Sequence, residues 1–295
     1  VIRAASLAAG LALCAASGAI AQDAAVLLSD HVWKAPGLPL VGGLSALEVY
    51  SGGEGILALS DRATLITATL TRDPDGAITG TTVTGMAPLT NPTAGRPADP
   101  GGFDAEGLAH APDGTLWVSF EGDHRIAAHA PDGREIRRLP PPSGAADLPR
   151  NGSYEALAVD RQGRLYTIPE RTRAGQPAAL SRLEHGQWQT IALVPAQGGY
   201  QPVGLDFDDR GRLFMLERRL GALGSFGSRI IRFPLTSGRV EGGTVVLETP
   251  AGAHGNLEGI SLWRDGSGRL IATLIADNNF GSLLRSEIVE YYLPE

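Results

Sequence analysis

One cysteine, Cys14, and one lysine, Lys34, stand in a chain of 295 residues. Cys14 lies in an N-terminal apolar stretch, so a disulfide framework is excluded and stability must come from packing and strand pairing. Every other basic residue is arginine, and the formal net charge is −7. That balance argues against nucleic acid or an anionic membrane as a bulk partner. Beyond residue 22 no apolar run is long enough to span a bilayer, so stable membrane insertion is not expected. Several signatures of chemistry are missing too. There is no G-x-S-x-G elbow, no phosphate-cradling P-loop and no dinucleotide fingerprint, which excludes an α/β serine hydrolase and leaves no organic cofactor indicated. The six histidines, at 31, 110, 124, 129, 185 and 254, form no zinc-binding spacing. Aromatic residues are only 6% of the chain, whereas glycine (39) and proline (20) are plentiful. Such a composition calls for many tight turns between short elements, the mark of an all-β protein.

What is present begins with a leader. Arg3, the apolar run Ala4 to Ala16 and the small-residue sequence Ala19-Ile20-Ala21 follow the order of a secretory signal peptide, residues 1–21, with cleavage expected after Ala21. Leu13 before Cys14 does not fit lipid attachment. Residues 22–295 are then expected to form a single exported domain.

Five segments of that domain share one grammar: a small or acidic residue, an apolar strand, a glycine turn, a second apolar strand and an acid at its end. They run from Gly42 to Asp61, Phe103 to Glu121, Ser153 to Glu170, Gln201 to Glu217 and Asn256 to Asp277. Taking Ala46, Gly107, Ala156, Gly204 and Gly259 as equivalent gives spacings of 61, 49, 48 and 55 residues. This period is that of a propeller blade. Each copy reads as a hairpin followed by further strand-like sequence, which predicts a β-propeller of five four-stranded blades. A six-bladed ring is the alternative, with a degenerate blade hidden around Leu65 to Thr84. The last copy runs out after a third strand, Glu287 to Leu293, and the stretch Ala24 to Trp33 is free to complete it. Pairing of the two terminal strands removes two open edges.

In such a blade the start of the first strand lies beside the end of the second. Glu106, Glu155 and Glu258 begin first strands, while Asp61, Glu121, Glu170, Glu217 and Asp277 end second strands. Eight carboxylates are therefore expected on one face around the axis. Their repulsion must be relieved by protons, by cations or by a metal. Arg62, Arg125, Arg171 and Arg218 follow the second-strand acids, and Asn278 and Asn279 take those places in the last copy. Carboxylates and amides suit hard divalent cations, and guanidinium groups suit phosphate. The bland alternative is that each acid accepts hydrogen bonds from the next blade and serves ring closure. His254 and Asn256 lie just before Glu258, within reach of the same face, although His254 reads more simply as an exposed loop residue. Asp73-Pro74-Asp75-Gly76 reads as a hairpin turn rather than a calcium loop.

Phe103 to Ala109 (FDAEGLA), Ser153 to Ala158 (SYEALA), Leu216-Glu217-Arg218, and Asn256 to Ile260 (NLEGI) with Ala276 to Phe280 (ADNNF) resemble the phytase-like propeller family, also described as esterase-like activity of phytase. The resemblance runs from about Gly42 to the C-terminus. It implies an exported propeller, periplasmic rather than fully secreted, acting on phosphate esters or related esters, with a small molecule, phosphorylated in the first case, as its ligand. Carried onto this chain, calcium or another divalent cation would be held by Glu106, Glu155, Glu258 and Asp277. Glu155, Glu258, Arg171 and Arg218 would be the catalytic set, and Asp61, Arg62, Glu121, Arg125, Glu170, Glu217, Asn278 and Asn279 would bind ligand. Val203 and Ser45 stand where other copies have glutamate. A non-catalytic propeller binding a small ligand or protein at the same face is the competing function.

Overall fold

The computed structural model describes residues 24–38, 41–91, 96–97, 104–121, 124–149, 152–173, 176–236, 239–240, 242–281 and 284–295. The leader, 1–21, lies outside them. Five four-stranded antiparallel sheets form a ring. Blade 1 consists of Leu44–Tyr50, Gly55–Ser60, Thr64–Arg72 and Ile78–Pro88. Blade 2 consists of Ala105–His110, Leu116–Phe120, Arg125–His129 and Glu135–Leu139. Blade 3 consists of Ala156–Val159, Leu165–Ile168, Ala178–Glu184 and Gln187–Val194. Blade 4 consists of Gln201–Phe207, Leu213–Leu220, Phe226–Phe233 and Thr244–Glu248. Blade 5 consists of Asn256–Arg264, Leu270–Asp277 and Glu287–Tyr292, with the N-terminal strand Val26–Val32 on its outside.

That last strand pairs antiparallel with Glu287–Tyr292, so strands from both ends of the chain close the ring. The six-bladed alternative is corrected. Leu65 to Thr84 supplies the long third and fourth strands of blade 1, which, with the connection after Pro88, account for the spacing of 61.

Apolar side chains gather in five clusters, one at each blade-to-blade boundary. Val203, Phe214 and Leu216 of blade 4, for example, meet Leu257, Leu274 and Val289 of blade 5. Sheets packed face to face in this way need alternating apolar residues on both faces, which is why the inner strands read as nearly continuous apolar runs. The turn between first and second strands is fixed by its own acid in three blades. Asp160, Asp208 and Asp265 each accept backbone N–H groups two and four residues on, and each pairs with the arginine four residues on. These are Asx-type turns, and they occupy the acids structurally.

The small residue that marks each repeat has a geometric cause. A Cβ at Gly204 would lie 3.0 Å from the carbonyl oxygen of Glu258, and one at Gly259 would lie 2.9 Å from Cα of Ala46. At Gly107 it would overlap the carbonyl oxygen of Glu155. Each inner strand thus meets the backbone of the next blade at the axis, and only glycine or alanine fits. Next to these positions the first strands of blades 1, 2, 4 and 5 carry register shifts, at Leu44/Ala46, Ala105/Leu108, Pro202/Gly204 and Leu257/Gly259. A bulge of this kind re-aims the side chain it carries. Ser45, Glu106, Val203 and Glu258 occupy or adjoin those bulges.

Candidate functional site on the axial face

Strand pairing shows which residues are equivalent around the axis. The residue after the small one pairs with Ala58, Val118, Thr167, Met215 and Leu274 in blades 1 to 5. Three residues beyond these partners come Asp61, Glu121, Glu170, Arg218 and Asp277. Blade 4 therefore contributes an arginine where the others contribute an acid. Glu217, expected at the axial face, sits one position short, on the opposite side of its strand. There it pairs with Arg229 and is buried away from the axis.

A cavity of about 420 Å³ opens on the axis and is lined by eight carboxylates: Asp61, Asp104, Glu106, Glu121, Glu155, Glu170, Glu258 and Asp277. Arg171, Arg218, Gln201, Asn256 and Asn279 complete its polar wall. The Arg218 guanidinium reaches into the acids. Its Nη2 lies 3.1 Å from Glu170, 3.3 Å from Glu258 and 3.8 Å from Glu155, and its Nη1 donates to Asn256 Oδ1 at 2.8 Å. Asn256 in turn donates to Glu258 Oε1 at 2.7 Å. Arg171 pairs with Glu170 at 3.0 Å, and its side chain is 45% exposed, at the rim.

Elsewhere in the cavity Asp104, Glu106 and Glu121 form a group whose carboxylate oxygens lie within 4.8 Å of one another. Glu106 joins this group and at the same time feels the charges of Glu155 and Glu258, which adjoin Arg218. Asp277 accepts from the backbone N–H of Asn279 at 2.6 Å. Glu121 accepts from the N–H groups of Gly152 and Ser153, so one of its oxygens is already positioned by blade 3.

Electrostatics follow from this crowding. Burial, then the charges of Asp277 and Asp104, push Asp61 up to about 7. Burial also raises Glu258 to about 8, against the opposing pull of Arg218. Glu106 and Glu155 are pushed well above the usual carboxylate range, by burial first and then by neighbouring acids. Several of these groups hold protons at neutral pH unless a cation is near.

Three other expected ligand-binding residues serve the fold, and none of them lines the cavity. Arg62 stacks over the Phe280 ring at 3.5 Å, and Asn278 Oδ1 accepts from the backbone of Gly43 and Phe280, so this pair fastens blade 5 to blade 1. Arg125 is buried and stacks on Phe120. His254 is not the exposed loop residue expected, since it is 9% exposed and bonds through Nε2 to the Tyr291 hydroxyl. Asp104 and Gln201 were not foreseen. Both lie two residues before a marked first-strand position, and a period of two puts them on the same side of the strand. That signal was present in FDAE.

A family model described as "Phytase-like: Esterase-like activity of phytase" matches residues 39–280. The chain belongs to this phytase-like family. No curated protein matches it. Among solved structures, an α-L-arabinofuranosidase from Podospora anserina is similar with a TM-score of 0.54 at 11% identity, covering 90% of this chain and 96% of its own. The catalytic domain of an α-L-arabinofuranosidase from Coprinopsis cinerea gives 0.50 at 11%, covering 92% and 96%. A gluconolactonase from Xanthomonas campestris gives 0.49 at 12%, covering 86% of each chain. At such identities the likeness is one of fold, and the chemistry of this phytase-like propeller must be argued from its own axial residues.

Proposed function

We propose that this phytase-like propeller is an exported, divalent-cation-dependent hydrolase of phosphate esters or related esters, working at the axial cavity. The observation that carries the reading is the partition of that cavity. One side groups three carboxylates, Asp104, Glu106 and Glu121, and the other holds carboxyls organised around Arg218. Three oxygen donors at this separation fit a hard cation such as calcium, with water filling the remaining positions. Bound there, the cation would polarise a phosphoryl or acyl oxygen and lower the pKa of a water.

The chain's own residues supply the rest. Glu155 and Glu258, with raised pKa, retain protons near neutrality and can donate one to a leaving oxygen. Arg218 orients them and offsets charge that develops between them. Arg171, at the rim and half exposed, is placed to receive a phosphate or carboxylate of the substrate. Export rests on the order of residues 1–21 and the periplasm on the family resemblance, and no helix among the described residues is long and apolar enough to cross a membrane.

One observation favours a second reading, a ligand-binding module without turnover. Arg218 already has three carboxylate neighbours and an amide, so only Arg171 among the lining arginines is open to an anion. Release of phosphate or p-nitrophenol from phosphomonoester and carboxylester substrates, with and without calcium, separates the two. Calcium-dependent turnover, lost in a folded Glu155→Gln, Glu258→Gln variant and in Glu106→Gln, is the expected result. Calcium binding with no turnover on any substrate would establish the module instead.

A further inference from the structure

Outside the axial cavity, three side chains from distant parts of the chain converge at the ring closure. Asp30 belongs to the N-terminal strand, Glu287 opens the third strand of blade 5, and His254 sits in the link from blade 4, where it bridges to Phe226. One carboxylate oxygen from each acid and one histidine nitrogen lie within 4.8 Å of one another. None of the three lines the axial cavity.

His254 supplies the second, independent observation. Its side chain is buried, Nε2 is engaged with the Tyr291 hydroxyl at 2.6 Å, and Nδ1 has no hydrogen-bond partner. Nδ1 points instead towards Asp30 Oδ2, 3.6 Å away. With the proton on Nε2 and donated to Tyr291, Nδ1 presents a lone pair to a carboxylate. In that tautomer a buried lone pair without a partner faces a partly exposed carboxylate, an arrangement that a cation between them would satisfy. The Tyr291 contact is the kind of outer partner that fixes the tautomer of a metal-bound histidine. Glu287 is similarly held, with Oε2 accepting from the N–H of Gly255 at 3.0 Å, while Arg285 lies 2.6 Å from Oε1. Arg285 is 62% exposed and can swing aside.

We propose that Asp30, His254 and Glu287 bind a first-row divalent cation, zinc foremost, which clasps the two ends of the propeller together. One imidazole and two carboxylates form a borderline donor set that suits zinc better than calcium. Asp30 is 38% exposed, which leaves a path from solvent and room for a water as fourth ligand. The ion would tie the outermost strand, the blade 4 to blade 5 link and the C-terminal strand at one point. Its role is to hold the ring shut.

The test uses the full chain stripped of metal and then saturated with calcium, so that the axial acids are occupied. ZnCl2 is titrated by calorimetry, and CoCl2 is followed by its visible absorption, which reports an imidazole ligand. Expected are one tight equivalent of zinc, a rise in melting temperature, and affinity weakened by at least about tenfold in both His254→Gln and Asp30→Asn. Glu106→Gln should retain the zinc site. Asp30→Asn alters a partly exposed side chain, so it remains informative even where His254→Gln fails to fold. Absence of zinc binding overturns the proposal, as does binding that Asp30→Asn leaves equally tight or that Glu106→Gln abolishes. A pH-dependent stabilisation by His254 and Asp30 alone, indifferent to zinc, would show that the positive group is a proton.

Discussion

Blade 4 and its four companions share the four-stranded antiparallel sheet and the packing at blade boundaries, yet they present opposite charges to the axis. Blades 1, 2, 3 and 5 carry Asp61, Glu121, Glu170 and Asp277 at the end of the second strand, and blade 4 carries Arg218. Just before the small inner residue, blades 2, 3 and 5 carry glutamate, while blade 4 buries Val203 among the apolar residues of its boundary with blade 5. Blade 4 therefore adds a mostly buried countercharge, beside the rim pair of Arg171 and Glu170, that lets the others crowd carboxylates together. Five identical acidic blades would repel one another with no fixed cation, and the ring would depend on metal or on protons to close. One dissenting blade sets a guanidinium beside Glu155, Glu170 and Glu258, while Asp104, Glu106 and Glu121 group together.

The largest test of this contrast is to abolish it. Arg218→Glu would make the ring of second-strand ends wholly acidic, take the guanidinium from Glu155 and Glu258, and leave Glu170 with Arg171. Removing one member of a buried charge cluster costs about 3–5 kcal/mol. Melting at pH 7 is expected to fall accordingly, with partial recovery on adding calcium or lowering the pH. Arg218→Lys should recover more stability than Arg218→Gln, although it loses the fork that reaches several acids at once.

Next comes pH itself. Asp61 and Glu258 have folded values of about 7 and about 8, against ordinary values of 3.8 and 4.5. A carboxyl whose pKa is higher folded than unfolded stabilises the fold through its protonated form. That contribution is whole below about pH 4 and is lost as pH rises through 7 and 8. Metal-free protein should therefore melt at steadily lower temperature over that range, and calcium should flatten the profile. Glu106→Gln is expected to remove the calcium response, whereas Glu217→Gln, whose acid faces Arg229, should leave it intact. A response that instead depended on Glu217 would return blade 4 to the ranks of the acidic blades.

The same contrast explains what could be read from sequence. Five blades, their hairpins and the closing role of the N-terminal strand were legible because each repeat carries a small residue, a glycine turn and two apolar strands. The axis demands the first, and the blade boundaries demand the last. Glu217 misled because the acid itself served as the anchor of the comparison, and a slip of one residue sends a side chain to the other face of a strand. Counting from the turn would have avoided it. Glu121, Glu170 and Arg218 all stand seven residues after the turn glycines Gly114, Gly163 and Gly211. The division of the acids between Arg218 and the Asp104 group was not legible, because it depends on which blades face one another across the ring. Nor was the closure by Arg62, Asn278 and Phe280. Asn279 and Phe280 both adopt positive φ, near 50°, a conformation that a bulky aromatic rarely takes and that no local pattern announces.

A smaller effect is expected at the feature all blades share. Gly107→Ala would push a methyl group into the Glu155 carbonyl oxygen and to 2.5 Å from Ser119 Oγ. Overpacking of this kind costs about 1–3 kcal/mol. Because Glu155 begins blade 3, the shift should also reach the cavity and lower calcium affinity together with stability. Gly211→Ala, at a turn with open space around it, is the control, with a cost of about 1 kcal/mol from its left-handed φ and no effect on the cavity.

Ser45 gives the mildest test and the sharpest distinction. It occupies in blade 1 the bulged position that Glu106 and Glu258 hold in blades 2 and 5, and its hydroxyl donates to the carbonyl of Ala105 at 2.7 Å. The hydrogen bond stitches blade 1 to blade 2 beneath the cavity. Ser45→Ala should cost about 1 kcal/mol, the usual value of one buried hydrogen bond, with calcium binding and turnover unchanged. Glu106→Gln should do the reverse, removing calcium binding while leaving stability equal or higher, since it removes a carboxylate held among others. If Ser45→Ala also weakened calcium binding, the bulged position would carry one role in every blade. The separation between blades that close the ring and blades that furnish the site would then fail at blade 1 before it failed at blade 4.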